Sequence, residues 1–173
     1  MTKQFDVSMA QVECGDLGIR IARDGTWFYH GSPIGRKEMV CLFASVLERR
    51  EDGSYWLVTP GEMGTIEVED APFIAVEAYA CQAGRDLIIS FRTNVDEIVT
   101  LDEAHPLRMA PDPDAGGLVP YILLRDGLEA KLSRPVYYEL VALGLEETVN
   151  NEKVFGVWSS GSFFPMGRLE GEA

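Results

Sequence analysis

The chain has 173 residues, 46% apolar and 25% charged, the make-up of a globular protein with room for one domain or two small ones. A formal net charge of −13 repels nucleic acid and anionic lipid, and no basic stripe with interleaved aromatics offsets it. Three cysteines without a CxxC spacing argue against a thiolate zinc site and fit a reducing compartment; with no apolar run of transmembrane length and no signal-like start, a cytoplasmic protein free of membrane and nucleic acid is expected.

From the N-terminal side, residues 19–22 and 26–29 read as extended segments around the Asp24-Gly25 turn signal. Ser32 is placed to cap the next helix, with Pro33 in its first turn, where a missing N–H costs nothing. Met39, Val40, Leu42, Phe43, Val46 and Leu47 then recur at helical spacing and are expected to form its buried face. "EDGS" at 51–54 closes that helix and leads into the strand "YWLVT". "FIAVEAYA" and "LIISFRT" read as a hairpin around "CQAGRD", and the proline- and glycine-rich "APDPDAGG" at 110–117 marks the expected domain boundary.

The first pattern then returns. Arg23-Asp24-Gly25 reappears as Arg125-Asp126-Gly127, Ser32 as Ser133, and "YWLVTPG" as "FGVWSSG", with drifts of one residue that loops can absorb. In the second copy Ser133 is the expected cap, Pro135 lies in the first turn, and Val136, Tyr137, Leu140 and Val141 form the apolar face. The expected architecture is therefore α+β: two duplicated β-β-α-β-β units, mostly antiparallel sheets each packed by one helix. The units are placed at 1–115, which carries the extra hairpin, and 116–173.

Chemistry is harder to read. His30 and His105 are the only histidines, and nothing resembles a metal-binding spacing, so neither a metal nor a cofactor is expected. "VWSSGS" is not a nucleophile elbow and reads as a turn between strands. "GSPIGRK" lacks the spacing and Lys-Ser/Thr of a phosphate loop, although Arg36 and Lys37 at a helix start could still hold an anion. Strand alternation puts Trp27 and Tyr29 on one face, free to line a cleft, and sends Phe28 into the core. Packing between the units is the competing explanation for those two rings, as for Trp158.

Together, "DGTWFYHGSPIGR", "LVTPGE", "VEDAPF", "FRTNVDE", "HPLRM" and "VWSSGSFFPMG" resemble a proteobacterial family known as domain of unknown function 1285, across nearly the whole span from Cys14 to Gly167. The resemblance implies two related α+β parts, the second similar to a pleckstrin-homology-like sheet and helix, and it brings no enzymatic activity. It also implies a role in signalling and a ligand site where the parts meet, drawing on Trp27, Tyr29, Pro33, Arg36, Arg92, Asn94, His105, Trp158 and Ser160. At position 64 it implies a bulkier residue than the glycine found here.

The expectation is thus a non-enzymatic ligand-binding or regulatory protein for a small polar or anionic metabolite. A protein-interaction module using the same aromatics is the alternative. An enzyme working through His105 or the Ser159–Ser160 pair is a third reading, which requires titratable groups to converge in one cleft.

Overall fold

The structure, a computed structural model, describes residues 11–112 and 114–169. It divides into two units, Met1–Asp70 and Ala71–Ala173.

In the first unit, β1 (Val12–Ile21), β2 (Trp27–Tyr29), β3 (Ser32–Pro33), α1 (Lys37–Ser45), β4 (Leu47–Arg49), β5 (Tyr55–Val58) and β6 (Glu62–Val68) follow in chain order. They build one six-stranded sheet, β3-β2-β1-β6-β5-β4, antiparallel throughout except for the parallel pair β1–β6. The Asp24-Gly25 turn forms as expected: the Asp24 carboxylate accepts from Thr26 N–H at 2.9 Å, and the hydrogen bond holds that acid below its ordinary value.

The helix start differs from expectation. Ser32 and Pro33 pair with Tyr29 and Phe28 as an edge strand, so α1 begins only at Lys37, and the residue at its N-cap, Arg36, gives no side-chain cap. Leu47 belongs to β4 opposite Leu57 rather than to the helix. The remaining nine-residue helix buries Ala44 and half-buries Val40 and Phe43, leaving Met39 and Leu42 at 41% and 64% exposure.

The second unit runs β7 (Phe73–Cys81), β8 (Ile88–Thr93), β9 (Ile98–Thr100), β10 (Leu107–Pro111), β11 (Leu118–Arg125), β12 (Leu128–Leu132), α2 (Arg134–Ala142), β13 (Leu145–Val149), β14 (Glu152–Ser159) and β15 (Ser162–Arg168). Its larger sheet has the order β10-β11-β12-β7-β8-β9, and β13-β14-β15 form a separate three-stranded sheet. Ser133 caps α2 through Val136 N–H at 3.4 Å, with a proline in the first turn as the sequence predicts, and Val136 and Leu140 are fully buried.

The domain boundary moves. The 110–117 stretch connects β10 to β11 within one unit, Pro111 facing Leu118 and Asp112 N–H donating to Gly117 O at 2.9 Å. The hairpin β7–β8 belongs to the second unit because β7 lies parallel to β12 in the same sheet.

Both units contain the order hairpin, helix, three-stranded meander; against the expected plan β4 and β13 are each one strand more, completing the meanders, and the first unit adds the edge strand β3 as well. Their pairing differs. In the first unit the meander joins the hairpin in one sheet through β1–β6; in the second, the hairpin joins β7 and the meander stands apart. Among the described residues no helix is long and apolar enough to cross a membrane.

Candidate functional site

The face of the first sheet that carries Ile19 and Ile21 also carries their cross-strand partners Tyr29 and Trp27. That face is the core. Trp27 is 2% exposed and stacks on Phe43 of α1 at 6.3 Å, so it packs inward instead of lining an open cleft. Phe28, expected inside, is half-buried on the other face beneath the Arg20 guanidinium at 4.3 Å, and Pro33 is its exposed cross-strand partner. Tyr29, on the core face but near the strand end, stays 53% exposed with its ring edge-on to His30.

Beyond Tyr29 a half-open cavity of about 260 Å³ opens between the sheet and α1. Leu17, Ile19, Phe43, Val46, Leu57 and Met63 give it apolar walls, and Tyr29, Thr59 and Glu62 supply polar groups. Gly64 is what lets Leu17 lie there. A Cβ at position 64 would run into the Leu17 side chain and sit 2.8 Å from the Gly15 carbonyl oxygen. A bulkier residue at 64 would therefore displace part of the cavity wall. The indole N–H of Trp27, behind Phe43, is buried and has no hydrogen-bond partner among the described residues. Arg36 is exposed at the start of α1 and does not line the cavity.

The expected residues of the second unit are mostly engaged with their own surroundings. Arg92 donates to Glu77 at 3.1 Å and to Asp96 at 2.8 Å, and Tyr79 donates to the same Glu77 carboxylate. Hydrogen bonds from Arg92 first and Tyr79 second pull the Glu77 carboxyl from 4.5 to about 2. A carboxyl lowered on folding stabilises the native state above its unfolded value and loses that contribution as pH falls through the folded one. Carboxyl-detected NMR should therefore find Glu77 titrating near 2, and Arg92→Ala should return it toward 4.5. An unshifted Glu77 in the unsubstituted chain would contradict the pairing.

Asn94 ties strand ends together: its side-chain oxygen accepts from Ile74 N–H at 3.1 Å and its backbone N–H donates to Ile74 O at 2.9 Å. Trp158 donates its indole N–H to Glu147 at 3.0 Å beneath the Arg85 guanidinium. The two serines form a latch. Ser159 Oγ donates to Leu101 O at 2.6 Å and accepts Ile89 N–H at 3.0 Å, and Ser160 Oγ donates to the same carbonyl at 3.0 Å. Ser160 and Gly161 fill the β14–β15 turn with φ of 53° and 81°, as a two-residue hairpin loop requires.

His105 sits on the loop that this latch holds. Its backbone N–H and ring Nδ1 both reach Asp102 Oδ1, at 2.8 and 2.9 Å. His105, Asp102, Glu97 and Arg125 line a second, polar cavity of about 470 Å³. Of the nine expected residues, Tyr29 alone lines the first cavity and His105 alone the second. Sequence reasoning missed Leu17, Thr59, Glu62, Glu97 and Arg125, whose roles follow from strand pairing rather than from any motif. No group of three or more metal-ligating side chains occurs among the described residues.

The chain matches two family models: the N-terminal domain of a domain of unknown function, DUF1285, over residues 10–71, and the C-terminal domain of the DUF1285 protein of unknown function over residues 72–166. One model covers each unit, which fits the duplicated plan. A crystal structure of a DUF1285 family protein from Silicibacter pomeroyi DSS-3 is similar at 45% identity and a TM-score of 0.86, over 93% of this chain and 85% of that one. A second, of a DUF1285 family protein from Shewanella baltica OS155, is similar at 30% identity and a TM-score of 0.57, over 72% of this chain and 91% of that one. No curated protein matches.

Proposed function

The chain belongs to the DUF1285 family, and on that premise we propose a non-enzymatic, ligand-binding regulatory protein whose first unit takes up a small molecule with an apolar body. The cavity between α1 and the sheet carries this reading. Few polar groups on an otherwise apolar wall are the usual make-up of a small-molecule site. Binding there would act on α1, whose Phe43 stacks on Trp27 and whose outer side displays Met39 and Leu42. Signal transduction and a cytoplasmic location are parts of the same proposal; free Cys14 and exposed Cys81 accord with a reducing compartment. A pleckstrin-homology-like second unit is its finer structural reading.

The anionic metabolite among those expected from the sequence would need a cation, and the first cavity's lining contains none. Arg36 would have to supply it from the start of α1. A thermal-shift and calorimetric screen should therefore include uncharged apolar-bodied molecules, carboxylates and inorganic phosphate. Uncharged binders are expected, weakened about tenfold or more by Val46→Phe, which narrows the cavity without touching a buried polar group. Binders that respond to Arg36→Ala and ignore Val46→Phe would favour the anionic metabolite and defeat the cavity reading.

A protein-interaction module is the second reading, favoured by the exposure of Tyr29, Met39 and Leu42 on the first unit. It predicts a partner lost on Leu42→Asp and retained on Val46→Phe.

A further inference from the structure

The chain's three tryptophans differ in what their indole N–H groups meet. Trp56 donates to Ser54 Oγ at 2.9 Å and Trp158 to Glu147 at 3.0 Å. Trp27 is more deeply buried than either, yet its N–H has no partner among the described residues. A buried indole N–H ordinarily finds an acceptor, so the exception asks what its surroundings could admit.

Those surroundings lead to the first cavity. Trp27 and Tyr29 follow each other on one face of β2, opposite Ile21 and Ile19, and both Ile19 and Tyr29 line the cavity. Phe43 belongs to both places, since it lines the cavity and stacks on Trp27. It is a half-buried ring on a short helix whose start has no side-chain cap. Thr59 Oγ1 is already committed to the Glu62 backbone, donating to its carbonyl at 3.0 Å and accepting its N–H at 3.1 Å. With no cation in the lining and the exposed Glu62 carboxylate at its side, the cavity offers an anion nothing to pair with.

We infer, building on the ligand site proposed for the first cavity, that its ligands are uncharged carbonyl compounds whose oxygen accepts the Trp27 N–H once the Phe43 ring turns aside. An indole N–H only donates, so its partner must be an acceptor. A carbonyl oxygen supplies one and brings no donor of its own. An alcohol would add an O–H among Ile19, Phe43, Val46 and Leu57, side chains that accept nothing. The apolar body of the ligand then lies against those same side chains.

Titrating the full chain with acetophenone, 1-phenylethanol and ethylbenzene, followed by methyl and indole N–H NMR, tests this. Acetophenone is expected to move the methyls of Ile19, Val46 and Leu57 and to shift the Trp27 indole proton downfield, whereas ethylbenzene moves the methyls alone. Trp27→Phe should weaken acetophenone about tenfold and leave ethylbenzene within about twofold, because only the ketone loses a hydrogen bond. Trp56→Phe, which removes an indole already served by Ser54, should leave both unchanged. Equal losses for the two probes in Trp27→Phe, an indole proton that acetophenone leaves unmoved, or an alcohol that binds as tightly as the ketone would each overturn the inference while the cavity reading stands. If none of the probes moves the cavity methyls, the inference falls together with that reading. Should Trp27→Phe fail to fold, the indole proton and the ketone–alcohol comparison in the unsubstituted chain decide.

Discussion

Trp27→Ala should lower the unfolding free energy by about 3–5 kcal/mol, read from urea denaturation. The indole is almost fully buried opposite Ile21 and is the surface on which Phe43 anchors α1. Its removal takes away large apolar contact and the main support of the helix at once. Trp27→Phe separates the two properties of the residue. It keeps an aromatic surface beneath Phe43 and removes the buried N–H, whose lack of a partner costs about 1–3 kcal/mol. The Phe variant should therefore lie within about 1 kcal/mol of the unsubstituted chain. A cost below about 1 kcal/mol for the Ala variant would mean that Trp27 is not a core residue.

Ser159→Ala should cost about 2–4 kcal/mol, because one hydroxyl satisfies both a buried N–H and a carbonyl. The change leaves Ile89 N–H without its acceptor, whereas Leu101 O keeps Ser160. Ser160→Ala should cost less than about 1 kcal/mol, since it removes only a second donor from a carbonyl already served. This asymmetry separates a latch from a nucleophile. A catalytic Ser160 would show the opposite pattern, with stability intact and a reaction abolished. Neither hydroxyl is hydrogen-bonded to His105, whose ring nitrogen is turned to Asp102.

The sequence made the local elements readable wherever a single physical signal dominated. Asp-Gly turns, the Ser133 cap with Pro135 behind it, and the β7–β8 hairpin all form where expected. The misreadings have one source: the same residues satisfied two patterns, and pairing at long range decided between them. Ser32-Pro33 is a valid helix start and also a valid edge strand, and Tyr29 and Phe28 claimed it for the sheet. Leu47 continues a helical stripe and also alternates as a strand, and Leu57 decided that case. The alternation of Trp27, Phe28 and Tyr29 was legible, but which face is the core depends on Ile19 and Ile21 lying opposite Tyr29 and Trp27.

The boundary at Asp70 was hidden for the same reason. The stretch at 110–117 has the composition of a linker, yet a connection between antiparallel strands uses the same residues. What joins β7 to the second unit is a parallel pairing with β12, more than fifty residues later, and no local pattern announces it. Both cavities are assembled in that way too. Tyr29 and His105 drew notice as side chains, whereas Leu17 owes its place to the absent side chain at Gly64.

The most direct measurement is methyl-detected NMR of the full chain against a panel of uncharged small molecules with apolar bodies. The account predicts binders whose shifts centre on Leu17, Ile19, Val46, Leu57 and Met63 and which Val46→Phe excludes. A panel in which no molecule moves those methyls, or in which binders move only signals elsewhere in the chain, would contradict it.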